Sequence, residues 1–107
     1  MADNLIPLDL SRLTPADLAK VRALGDKLRL MHRWFRYEVS RGDDGGERVV
    51  LYSGDRGPTR YAAYAVGRGK DGRYVLSDSR RDRTLATART IDAALEALPP
   101  DFFHARG

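Results

Sequence analysis

Between residues 34 and 98 the chain runs through short segments of alternating apolar and polar positions, each closed by a turn rich in Gly, Asp or Pro. Tyr37 and Val39, Val49 and Leu51, Tyr61 and Ala63, and Tyr74 and Leu76 recur at a spacing of two inside their segments. That spacing belongs to strands with one buried face. It predicts strands over residues 35–40, 48–53, 60–66, 73–77 and 84–88. The Gly-rich stretch 41–46 and residues 54–58, 70–72 and 78–82 supply the turns. Asp71-Gly72 is the sharpest of these signals, because that pair readily adopts left-handed turn geometry.

The period lengthens on either side of these strands. Thr14-Pro15-Ala16-Asp17 reads as a helix start: a hydroxyl to cap free amides, a proline suited to the first helical position, and an acid at the positive helix end. Leu18, Val21, Leu24, Leu28, Met31 and Phe35 then recur every three or four residues as one apolar stripe, and the helix is expected to end near His32. Gly25 interrupts the pattern, as a point of close packing or a break. A second, short helix follows Thr90, with Ile91, Ala94, Leu95 and Leu98 on one face and Pro99-Pro100 as its stop.

These elements predict an α+β fold: an antiparallel meander of four or five strands, with the N-terminal amphipathic helix and the short C-terminal helix packed on one face. Leu28, Leu51 and Leu95 are expected in the core. The organisation reads as an apolar arm over residues 1–13, one domain over 14–98 and a tail over 99–107. The arm carries Leu5, Ile6, Leu8, Leu10 and Leu13, with Pro7 against a regular helix. The tail carries Phe102 and Phe103, which either fold back on the core or stay available to a partner.

Composition narrows the chemistry. There is no cysteine, so disulfides, thiolate catalysis and cysteine-ligated metals are excluded. The first residues lack a basic segment followed by an apolar run, and no apolar stretch reaches the roughly 20 residues of a membrane helix. The expectation is a cytoplasmic protein with no membrane partner. Net charge is +4, and 16 of the 19 basic residues are Arg. Guanidinium suits phosphate geometry, but base composition of a GC-rich genome also enriches Arg, and acids are interleaved with the basic residues.

Catalytic patterns are weak. Gly67-Arg68-Gly69-Lys70-Asp71-Gly72 spells a dinucleotide fingerprint, yet it joins two predicted strands, whereas the fingerprint must lead into a helix. Asp43, Asp44 and Glu47 lack the spacing of a calcium loop. His32 and His104 are the only histidines, and nothing in the sequence brings them together; a ribonuclease-like enzyme is the most remote alternative. No cofactor is implied.

Two binding surfaces remain. The first is apolar: Leu5, Ile6, Leu8 and Leu10 with Phe102 and Phe103, expected to meet a protein partner or a second copy of the chain. This makes a small non-enzymatic binding or adaptor module the leading expectation. The alternative is nucleic acid, held by Arg48, Arg60 and Arg73 at strand starts and by Arg80, Arg81 and Arg83 in the densest basic cluster, beside the strand tyrosines. Tyr61 and Tyr64 cannot share a face of a regular strand, so the five tyrosines do not form one platform.

Overall fold

The computed structural model describes residues 12–41, 46–54 and 61–103. Helix α1 (Pro15–Leu30) leads into five strands, β1 (Trp34–Arg41), β2 (Glu47–Gly54), β3 (Tyr61–Arg68), β4 (Tyr74–Asp78) and β5 (Arg83–Ala88). Helix α2 (Ile91–Glu96) and a 3₁₀ turn (Pro100–Phe102) follow. The strands form one antiparallel sheet in the order β1-β2-β3-β4-β5. Each strand lies beside its neighbour in sequence, as the short turn-rich connections require. The fold is the expected α+β meander.

Local chemistry sets the helix ends. The Thr14 hydroxyl accepts from the Asp17 amide and the Asp17 carboxylate accepts from the Thr14 amide, a reciprocal capping box. Helix α1 stops at Leu30 with a Schellman turn, in which the His32 amide donates to the Arg29 carbonyl and the Arg33 amide to that of Leu28. His32 takes the left-handed position, at φ 60°. At the second helix the Thr90 hydroxyl accepts from the Ala93 amide.

One face of the sheet is covered. Helix α1 packs on β1, α2 on β4 and β5, and the 3₁₀ turn on β2 and β3. Val21, Leu28, Val49, Leu51, Val66, Leu76 and Phe102 are fully buried there, with Ile91, Ala94, Leu95 and Leu98 around them. All three leucines expected in the core are in it.

The register corrects the phase of β3. Leu51 pairs with Tyr64 and Val49 with Val66, so Ala62, Tyr64 and Val66 face the helices. Tyr61 and Ala63, expected on the buried face of the period-two pattern, point to the opposite side of the sheet, where Tyr61 is exposed but Ala63 is buried as expected, at 5% exposure. The larger Tyr64 and Val66 fill core volume that the alanines at 63 and 65 would leave empty. Val39 has the expected parity but is 45% exposed, near the end of an edge strand. At the β3–β4 hairpin only Gly72 has positive φ, at 86°. The turn closes with the Gly72 amide on the Gly69 carbonyl and the Gly69 amide on that of Arg73, so the Gly-x-Gly pattern serves a strand-to-strand turn.

The packed unit extends past residues 14–98 at both ends. Leu13 belongs to the core, and its amide donates to Glu47 Oε1 at 3.0 Å. Phe102 is 0% exposed, in edge-to-face contact with Phe35, Tyr64 and Phe103. Its carbonyl accepts from Ser53 Oγ at 2.6 Å. Arg33, itself buried, donates to the Asp101 carbonyl, and Tyr64 Oη donates to the Asp101 carboxylate at 2.6 Å. Arg33 Nε has no hydrogen-bond partner among the described residues. The expectation of Phe102 as a partner-binding residue is therefore corrected: its ring and backbone are committed to the core. Phe103 is half-buried against the same cluster.

Candidate functional site

No described helix covers the second face of the sheet. Strand alternation decides what it displays. With Phe35, Tyr37 and Val39 turned toward the helices, β1 presents Trp34, Arg36, Glu38 and Ser40 outward. By register, β2 adds Arg48, Val50 and Tyr52, β3 adds Tyr61, Ala63, Ala65 and Gly67, and β4 adds Val75 and Ser77.

The aromatic residues gather at one corner. Tyr61 meets Trp34 edge-on at 6.3 Å between ring centroids and Tyr52 at 5.6 Å. The Arg80 guanidinium lies 4.6 Å above the Tyr61 ring and also donates to the Tyr61 carbonyl. That placement follows from the β4–β5 turn, where Asp78 Oδ1 accepts from the amides of Arg80 and Arg81. The fixed turn aims Arg80 back across the sheet. Tyr52 Oη donates to Glu38 at 2.8 Å, and Arg36 lies 3.5 Å from the same carboxylate. The bond to Glu38, more than burial, raises the Tyr52 pKa above its ordinary value of 10.0. Tyr52 is thus held as a neutral phenol.

Beyond this corner the face is low. Ala63 lies opposite Tyr52, and Ala65 opposite Val50 and Ser77. Ala63 and Ala65 are themselves buried, at 5% and 2% exposure, so this stretch of the face is closed over by its neighbours. Arg48 stands on this face with Nε 3.4 Å from Ser40 Oγ.

The expected basic set divides. Arg48, Arg73 and Arg80 are exposed and belong to the uncovered face or its rim. Arg83 pairs with Asp78 and by that register belongs to the opposite face. Arg81 is exposed in the turn. The Arg80–Arg83 cluster is therefore not one patch. Arg60, Leu5, Ile6, Leu8 and Leu10 lie outside the described residues, as does His104. His32 is exposed on its turn.

Trp34 and Arg36 were absent from the expected site. Their signal was present: with Phe35 and Tyr37 inward, the residues between them must face outward. Among the described residues, no group of three or more His, Asp or Glu side chains could hold a metal ion, and no helix is long and apolar enough to cross a membrane. Compared with known proteins, the chain matches no family model, no curated protein and no solved structure.

Proposed function

We propose that this chain is a non-enzymatic binding module that takes single-stranded nucleic acid on the sheet face opposite its helices. The observation that carries the reading is the corner formed by Trp34, Tyr52, Tyr61 and Arg80. Its rings offer surfaces for unpaired bases, and its guanidinium groups offer charge for phosphates. Edge-to-face packing keeps the three rings from stacking on one another. Among the described residues Arg36, Arg48 and Arg80 outnumber Glu38 on this face, and the chain carries a net charge of +4. A duplex hides its bases in the stack and would leave the rings without a partner, so the single strand is favoured.

Trp34 is the only tryptophan, which makes the test direct. Single-stranded DNA or RNA oligonucleotides are titrated at low salt while Trp34 fluorescence and oligonucleotide anisotropy are followed. Quenching that saturates with the anisotropy change, and weakens steeply with added salt, supports the reading. No change in either signal at low salt removes it, and tighter binding of duplex than of single strand would remove the stacking argument.

A protein partner is the second reading, and one observation favours it. Edge strand β5 is exposed along most of its length, including Leu85 at 40%. It joins β4 through an irregular register between Leu76 and Ser77. An open edge accepts an added strand. With Phe102 in the core, this edge becomes the described surface on which that reading rests. Protection of β5 amides from hydrogen exchange on mixing with a captured protein would support it; a monomer whose β5 amides exchange equally with and without that protein would not.

A further inference from the structure

At the corner of the sheet diagonally opposite Trp34, Arg73, Thr87, Ala88 and Arg89 line a shallow pocket of about 230 Å³. The register brings them together. Val75 pairs with Thr87 and Tyr74 with Ala88. Arg73 and Arg89 flank that terminal pair, Tyr74 and Ala88, and both line the hollow together with Thr87. Two like charges gathered at one hollow repel each other. The nearest compensation is slight: Arg73 Nε lies 3.9 Å from Asp71 Oδ2, beyond hydrogen-bond distance. Arg89 has no ion pair among the described residues. Two forked cations and a hydroxyl around one hollow offer donors to a tetrahedral oxyanion, and a bound anion converts their repulsion into attraction.

We propose that this pocket is a phosphate-binding site, with Arg73 and Arg89 gripping the oxygens and the Thr87 hydroxyl completing the donor set. Its occupant is either free phosphate or a phosphate of a nucleic-acid strand, and the second source rests on the function proposed above. Six residue steps along β3, from Tyr61 to Gly67, and one to two strand spacings separate Tyr61 from the pocket. That is roughly 20 Å, with Arg48 standing beside the path. A strand of a few nucleotides laid along this diagonal would stack its bases at Trp34 and Tyr61 and deliver a backbone phosphate to Arg73 and Arg89.

The experiment is an NMR titration of the full chain with inorganic phosphate, with sodium chloride at matched ionic strength as control. Saturable shifts at the Thr87, Ala88 and Arg89 amides and at the Arg73 and Arg89 guanidinium signals are expected with phosphate alone. They should vanish in Arg73→Gln and in Arg89→Gln, whose remaining spectra report an intact fold. Absence of phosphate-specific shifts in the wild type overturns the site, as do shifts that survive both substitutions. A second arm uses a single-stranded oligonucleotide without terminal phosphates. If it moves the same resonances, and Arg89→Gln weakens its binding severalfold while lowering the salt slope by about 0.7, the strand is the occupant. If inorganic phosphate binds and the oligonucleotide does not, the pocket stands as a free-phosphate site and the nucleic-acid reading fails. If the oligonucleotide binds with Arg73 and Arg89 unperturbed and phosphate has no effect, the pocket fails and that reading stands.

Discussion

Gly25 and Phe35 share one space: a methyl group built on Gly25 would lie 2.6 Å from Phe35 Cδ2. The glycine that interrupts the α1 stripe is there to admit the Phe35 ring from β1. Alanine at this position would gain about 1 kcal/mol of helix propensity. The clash would cost about 1–3 kcal/mol as ring or helix is displaced, so Gly25→Ala is expected to destabilise the fold. Pairing it with Phe35→Leu should recover part of that loss. Urea melts of the four proteins measure the coupling. Simple addition of the two single effects would separate Gly25 from Phe35.

Phe102 provides the second prediction. Truncating this fully buried ring to Ala should cost about 3–5 kcal/mol, a large share of the stability of a domain this size. Ser53→Ala should act in the same direction by roughly 1 kcal/mol, because it removes the hydroxyl that donates to the Phe102 carbonyl. Thermal melts close to the wild type for Phe102→Ala would show that the C-terminal segment is dispensable and return the ring to the role of partner contact.

Most of the fold was legible because it rests on local rules. Thr14 and Thr90 cap the helices they were expected to cap, and the five strands fall within two residues of their expected bounds. What escaped was the phase of β3 and the fate of the tail. Both depend on contacts between distant residues. Tyr61-Ala62-Ala63-Tyr64-Ala65-Val66 reads as apolar on either parity, and pairing with β2 decides which side is buried. An adjacent Phe-Phe pair likewise carries no period. It took Ser53 of β2, Tyr64 of β3 and Arg33 of the α1–β1 connection to fix the segment around Phe102. The candidate corner was harder to read for the same reason: Arg80 was one residue of a basic cluster and Tyr61 one of five strand tyrosines, and their stacking, with the placement of Arg83 on the other face, needed the turn and the register.

Tyr74 gives the fold a pH dependence. Its hydroxyl donates to Asp17 Oδ1 at 2.7 Å inside the protein. Burial, then this bond and the carboxylate charge, push its pKa up to about 12 from 10.0. The folded state therefore holds a proton that the unfolded chain loses above pH 10. The contribution is complete below pH 10 and is lost as pH rises through 12; two units correspond to roughly 2–3 kcal/mol. Tyr74→Phe removes the titrating group along with the bond. The stability gap between wild type and Tyr74→Phe should be widest near pH 9 and shrink toward pH 12. A gap that stays constant over this range would show that Tyr74 titrates alike in both states.

The aromatic corner makes separable predictions for its ring and its cation. Tyr61→Ala removes a stacking surface, which is worth about 1–3 kcal/mol per base. It should therefore weaken single-strand binding while leaving the salt dependence nearly unchanged. Arg80→Gln removes a charge and should lower the salt slope by about 0.7. Arg83→Gln is the control: it deletes the same charge from the same basic cluster, but its register with Asp78 places it on the opposite face, and it should leave both affinity and slope close to wild type. Anisotropy titrations of the three variants over a series of salt concentrations read both quantities. If Arg83→Gln matches Arg80→Gln, binding follows net charge alone and the Tyr61–Arg80 corner has no part in it. If Tyr61→Ala binds like the wild type, the rings are packing elements and the base-stacking surface lies elsewhere.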